Sequence, residues 1–245
     1  MESTFPLLPV IVILFVSTLT RASLGFGDAL VAMPLLALVM DMTVATPLVA
    51  LFAPLISLMI LLRHWQKADL RSALRLIVAT WAGIPLGLYF LTHLPENYVK
   101  TLLGGIILMY GLYHLIRPHL GAISARPLIA WIVGFVAGIL GGAYNTNGPP
   151  VVIYGRLRGW APEDFRATLQ GYFLPTGLFI ALGHGAAGLW TAEVLRLFLY
   201  NLPVALLAIF LGGYINRAIP PGKFDRAVHL ALVFMGAMLI VNSIS

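Results

Sequence analysis

The chain has no cysteine, and Asp, Glu, Lys and Arg make up only 10% of its 245 residues, against about a quarter in an average soluble domain. Without cysteine there is no disulfide framework, no thiolate metal site and no thiol nucleophile. The shortage of charge, with 60% hydrophobic residues and a mean hydropathy of +0.95, excludes an ordinary water-soluble domain. No segment is polar enough to fold apart from the rest, so residues 1–245 are expected to form a single membrane domain.

Other absences narrow the chemistry. There is no Gly-x-Ser-x-Gly, no phosphate-binding Walker loop and no dinucleotide fingerprint, so an enzyme is not expected, nor ATP-driven transport within this chain, nor any cofactor. The histidines, at 64, 93, 114, 119, 184 and 229, show no spacing that places two metal ligands on one helix face, and no metal site is expected. The formal charge of +6 is dispersed over short connectors rather than gathered on one face, which excludes nucleic acid as a partner. Phe5 to Thr20 followed by Arg21-Ala22-Ser23 has the outline of a secretory signal, but Glu2 is the only charge before the apolar stretch, where a signal requires basic residues. The segment is therefore expected to belong to the mature fold.

What the chain does have is apolar length. Full spans are expected near 43–62, 73–92, 98–116, 166–183, 193–213 and 224–243. Two further apolar regions are interrupted: 6–40 at Arg21-Ala22-Ser23-Leu24-Gly25-Phe26-Gly27-Asp28, and 127–156 at Gly141-Gly142-Ala143-Tyr144-Asn145-Thr146-Asn147-Gly148-Pro149-Pro150. As one helix the first region would be about 52 Å long, too much for roughly 30 Å of hydrocarbon, whereas the pieces around the break are near or below about 22 Å. Each region is expected to be a re-entrant hairpin of two half-helices. Irregular backbone at membrane depth is tolerated only where protein or water satisfies it, so the breaks are expected to line a cavity.

The interruptions open two units with the same order of features, repeat one over 1–118 and repeat two over 127–245. Leu94-Pro95 and Gly111 recur as Ile219-Pro220 and Gly236 at a constant offset. Twelve of the fifteen basic residues fall in four segments: Arg63, Lys67, Arg71 and Arg75; Arg117 and Arg126; Arg156, Arg158 and Arg166; and Arg217, Lys223 and Arg226. All four can lie on the cytoplasmic side only if 127–156 enters and leaves by one face. The basic loop joins the second and third elements of the first unit but the third and fourth of the second. The expected fold class is thus an all-α integral membrane protein of two inverted repeats, each a re-entrant helical hairpin plus three transmembrane helices, a plan used by secondary transporters. Eight plain spans in parallel halves is the alternative.

The candidate binding residues sit at the breaks. Arg21 and Asp28 are ionisable groups inside apolar sequence, which is costly unless they are paired or hydrated and is functional by default. Arg21 would supply fixed charge for a small anion, helped by backbone N–H groups at the half-helix starts after Gly27 and Gly148. Asp28 is either a titrating carboxylate that couples proton movement to transport or an N-cap of a half-helix beginning at Ala29. Tyr144, Asn145, Thr146 and Asn147 form a run of neutral hydrogen-bonding groups, which serves either an oxyanion or a tight turn. Gly25, Gly27 and Gly148 would let backbone approach a substrate. Pro34, Pro149 and Pro150 mark hinges or starts of the returning half-helices. Gly83 and Gly87, and Gly134, Gly138 and Gly142, form small faces for close helix packing, within one chain or between two in an oligomer.

On these residues the chain resembles the sulfite exporter TauE/SafE family. Gly25-Phe-Gly-Asp-Ala-Leu-Val-Ala-Met-Pro34 carries the likeness in the first half. Gly138-Ile-Leu-Gly-Gly142, followed by Gly148-Pro149-Pro150, carries it in the second. The resemblance implies transport, usually outward, of sulfite, a sulfonate or a related sulfur oxyanion across a bacterial inner membrane. Asp28 departs from the more glycine-rich first motif common in the family, and the Tyr-Asn-Thr-Asn run suggests a subgroup with its own ligand.

Overall fold

A computed structural model describes residues 7–64, 70–116, 127–160, 162–218 and 223–244. The described residues form ten helices: α1 (Leu7–Leu24), α2 (Asp28–Leu36), α3 (Met42–His64), α4 (Leu70–His93), α5 (Glu96–Ile116), α6 (Pro127–Tyr144), α7 (Gly148–Leu157), α8 (Pro162–Ala186), α9 (Ala192–Ala218) and α10 (Lys223–Ile244). In hydrocarbon every backbone N–H and C=O must be satisfied within the protein, and sequence this apolar does so as helix. The expected half boundary near Arg117 to Arg126, the loop residue Lys67 and the Ile219-Pro220 pair lie outside the described residues.

Six helices are long and apolar enough to cross a membrane: Leu7–Leu24, Met42–Leu62, Ala73–His93, Glu96–Ile116, Pro127–Tyr144 and Ala192–Ile215. Four of them coincide with expected spans. The expected spans 166–183 and 224–243 fall in α8 and α10; α8 is long but too polar to join the six, because its inner face carries buried Thr168, Gln170 and Thr176.

The interrupted regions differ from expectation in where they break. Helix α1 runs on through Arg21, Ala22 and Ser23, and α6 through Gly141 to Tyr144, so the non-helical stretches shrink to 25–27 and 145–147. At 18 residues each, α1 and α6 reach about 27 Å, long and apolar enough to cross a membrane, while the 9 and 10 residues of α2 and α7 reach only about 15 Å or less. The cause is local. Arg21 has side-chain partners within the protein and does not need to stop the helix, whereas Gly25 (φ 90°) and Gly27 (φ 100°) take left-handed conformations that only glycine enters freely.

Helices pair across the two halves: α4 packs on α6, α1 on α9, α3 on α8 and α5 on α10. Exchanging the first five helices for the last five maps this set of pairs onto itself. Glycine makes three of these seams close. Gly83 and Gly87 of α4 meet Gly138 and the backbone around Phe135, Ile139 and Ala143 on α6, so the two small faces read in the sequence face one another. Gly104 and Gly111 of α5 abut Gly236 and Val233 of α10, and Gly212 of α9 abuts Ala22 of α1. A Cβ at these positions would collide with a facing helix, so the pairs are held at backbone contact by dispersion and shape, as apolar lipid offers no hydrophobic gain.

Candidate functional site

The two breaks lie side by side. Between them is a cavity of about 380 Å³ of atom-free space, lined by Arg21, Gly27 and Asp28 from the first break and by Asn145, Thr146, Asn147, Gly148 and Pro149 from the second. Segments about 120 residues apart thus converge because α1 and α6 each end there and α2 and α7 each start there. Phe26, Ala29, Leu30, Ala53, Phe173 and Gly177 complete the wall. The space is narrow: the centre of a water-sized sphere moves through about 20 Å³, enough for about one water and too little for an organic anion.

Arg21 sits in the last turn of α1 and is 3% exposed. Its Nη1 donates to Asp28 Oδ2 at 2.6 Å, its Nη2 donates to Ser57 Oγ and, at 3.4 Å, to Gln170 Oε1, and its guanidinium carbon lies 4.8 Å from the centre of the Phe173 ring. Its Nε is buried without a partner. Asp28 is the first residue of α2, with Gly27 at the N-cap, and its side chain makes no capping hydrogen bond. The carboxylate is spent on Arg21 instead, which sets aside the capping alternative. The first helical bond of α2 runs from Val31 N–H to Gly27 O, so the N–H groups of Asp28, Ala29 and Leu30 lack helical acceptors.

The second break is built from neutral groups that are largely occupied. Thr146 Oγ1 donates to Leu140 O at 3.4 Å, and Asn147 Nδ2 donates to Thr176 Oγ1 at 3.2 Å, which in turn donates to Tyr172 O at 2.7 Å. Tyr172 Oη shares a 2.8 Å hydrogen bond with Thr80 Oγ1. Asn145 ends α6 at φ 54°, a left-handed conformation that asparagine tolerates better than most residues, and its Oδ1 is buried with no partner. Pro149 and Pro150 give α7 a preset start but carry no N–H, so its first three positions offer the single donor of Gly148.

Four residues singled out in the sequence lie off this wall. Gly25 houses the Arg166 side chain, since a Cβ there would lie 3.0 Å from Arg166 Cγ. Tyr144 is buried in the last turn of α6, Pro34 lies inside α2, and Pro150 is in the first turn of α7. The residues sequence reasoning missed come mainly from α8. Arg166 Nη2 donates to Ala22 O at 2.6 Å, capping the end of α1, and Gln170 Nε2 donates to Gly25 O while its Oε1 accepts from Arg21. Arg166, counted as a connector charge in the sequence, is thus part of the site's frame. Arg166, Gln170, Phe173 and Gly177 recur at four, three and four residues, one face of a helix, and that stripe is the signal that could have found them. His114 and His229, on α5 and α10, stack with ring centroids 4.4 Å apart and rings 2° from parallel, and neither lines the cavity. Among the described residues no cluster of three or more His, Asp and Glu side chains occurs.

Apolar helices packed around a small cavity at two helix breaks are the build of a multi-pass integral membrane protein. The chain belongs to the sulfite exporter TauE/SafE family, whose model matches residues 10–239. It is 26% identical, over all of its own length and 97% of the relative's, to a protein of Cupriavidus necator named "Probable sulfite/organosulfonate exporter TauE". It is 29% identical, over 64% of this chain and 66% of the relative, to a Comamonas testosteroni protein named "Probable inner membrane transporter protein TsaS". The six apolar helices and these kinships place it in a bacterial inner membrane. No solved structure matches it.

Proposed function

We propose that this chain is a secondary transporter that exports a small sulfur oxyanion, sulfite or an organosulfonate, by alternating access of the cavity between the two helix breaks. The observation that supports this most is a guanidinium buried to 3% exposure on the wall of that cavity, beside the first N–H groups of α2, which have no acceptor within the helix. Positive charge and preset donors in a water-poor site recognise an oxyanion. The printed name of the Cupriavidus necator relative suggests which oxyanions to test first.

In this state the cavity is too narrow for such a ligand, consistent with a closed conformation that must open to one side to load and to the other to release. We take the chain as two units, 1–118 and 127–245, in inverted orientation, each a full crossing joined to a short returning helix and three further helices. Pairing of α4 with α6 and of α1 with α9 is the pattern that exchanging such units produces. An inside-negative potential drives an anion outward by about 2.3 kcal/mol per charge per 100 mV, so export needs no coupling ion.

Asp28 gives the mechanism its chemistry. An arriving oxyanion competes with the Asp28 carboxylate for Arg21, and a proton carried on that carboxylate with a monovalent anion would cancel the anion's charge, so a coupled step would answer to the pH gradient rather than to the potential. Flux of sulfite and of sulfonates in proteoliposomes tests the whole scheme. Arg21→Ala is expected to abolish flux and Arg21→Lys to retain part of it. Asp28→Asn is expected to remove its dependence on a pH gradient. Binding without flux would mean a sensor or intramembrane enzyme, and inhibition by cations rather than anions would mean a cation transporter; either sinks the proposal. An unchanged pH dependence in Asp28→Asn would remove the coupling role alone.

A further inference from the structure

Helices α1 and α6 end alike. A closing backbone bond runs from Gly25 N–H to Arg21 O at 2.7 Å in the first and from Asn145 N–H to Gly141 O at 2.8 Å in the second. The next carbonyls, Ala22 O and Gly142 O, each stand two residues before the helix end, and among the described residues neither takes a backbone donor. Side chains fill that place, and both belong to α8. Arg166 Nη2 donates to Ala22 O at 2.6 Å, and His184 Nε2 donates to Gly142 O at 3.0 Å; a carbonyl only accepts, so Nε2 carries the proton. Orphan carbonyls at helix ends are satisfied by basic side chains in this way.

Arg166 lies near the start of α8 and His184 in its last turn, about 27 Å apart along the helix axis. Between them Gln170 holds Gly25 O and Arg21, and Thr176 takes the Asn147 amide. Helix α3, the match of α8 in chain order, serves one break only. Its Ser57 meets Arg21, while the buried hydroxyl of Thr46, near the start of α3, makes no hydrogen bond. Neither Arg166 nor His184 lines the cavity, so each acts on it through the helix end it holds. We propose that Arg166 and His184 are positioning residues at the two ends of one strut, and that α8 makes the two breaks open and close as a unit. The inference rests on the alternating-access reading for its role in transport, where breaks that opened independently would let the cavity face both sides at once. Coupling between two sites is reciprocal, so loosening either anchor loosens both breaks.

Hydrogen exchange of the purified full chain, resolved to single amides, reads each break directly. The bonded N–H groups of Gly25 and Asn145 exchange when their bonds open, not when water merely enters the cavity. His184→Phe, which removes the donor at the second break, is expected to speed exchange at Gly25 at least about threefold, and Arg166→Met to do the same at Asn145. His184→Gln, whose amide nitrogen reaches the place of Nε2, is expected to keep the native rate at Gly25. Variants that speed exchange at their own break alone, or a His184→Gln that behaves as His184→Phe does, would overturn the inference. In the native chain the two amides are expected to share an opening constant within about threefold, and a larger difference would overturn it even where a variant fails to fold. Proteoliposome flux of sulfite and 2-hydroxyethanesulfonate on the same proteins separates the strut from the transport reading. Reciprocal exchange without flux keeps the strut and sinks the transporter; flux with exchange confined to one break does the reverse.

Discussion

Pairing of Arg21 with Asp28 sets a measurable asymmetry between removing one partner and removing both. The two side chains are 3% and 12% exposed and 2.6 Å apart. Breaking a buried pair by deleting one member leaves an uncompensated charge and costs about 3–5 kcal/mol, whereas replacing both by apolar groups of similar volume is near neutral or favourable. The deletions are not equal here. Arg21→Ala strands the Asp28 carboxylate, which has no other basic partner among the described residues, whereas Asp28→Leu leaves Arg21 with Ser57, Gln170 and the Phe173 ring. Arg21→Ala is therefore expected at the upper end of that range and Asp28→Leu at the lower. For a chain of this size such losses lower Tm by roughly 6–20 °C. The double change Arg21→Ala with Asp28→Leu is expected to lose clearly less than the two single losses together, and to transport nothing. Thermal unfolding of all four proteins in one detergent at low salt, with proteoliposome flux alongside, measures both. A double variant whose loss equals the sum of the two single losses would refute an energetic pairing.

Three further perturbations test the frame around the site. Gly138→Ala places a Cβ against the facing Thr80 carbonyl and is expected to destabilise the protein by more than about 1 kcal/mol, while Gly105→Ala, with open space around it, is expected to be neutral or stabilising by up to about 1 kcal/mol in the same melting assay. Gln170→Leu leaves the Gly25 carbonyl without its donor and removes an Arg21 acceptor; a loss of about 1–3 kcal/mol and most of the flux is expected, and native melting would count against its bridging role. Gly27→Ala forces a side chain onto φ 100° and is expected to cost about 1–3 kcal/mol, read as a lower Tm at unchanged helix content.

The breaks were legible because glycine and polar residues inside apolar sequence have few structural uses, and Arg21, Asp28 and Asn145 to Asn147 all reached the cavity wall. Their narrow extent was not legible. Whether a helix stops at Arg21 or runs to Leu24 depends on partners that arrive from α3 and α8, distant in sequence. The Arg21–Asp28 pair spans a break, so helical periodicity says nothing about it. Arg166 read as a topology signal and Gln170 as no more than a polar residue in an apolar stretch of sequence, because a stripe of four residues gains meaning only once the surface it faces is known. The glycine faces of α4 and α6 were visible singly; that each is the other's partner is a tertiary fact.

The α8 stripe has one more consequence. By place in the chain order its match is α3, which among the described residues offers the cavity Ala53, with Ser57 on Arg21, where α8 offers Phe173 and Gly177, with Gln170 on Arg21. Identical halves would give both mouths the same chemistry and hold a molecule equally well in either of two poses. Under the transport reading proposed above, unlike walls would favour one heading of a passing anion over the other, like a key that fits the lock only one way up, and a doubled architecture would then carry no symmetry of recognition.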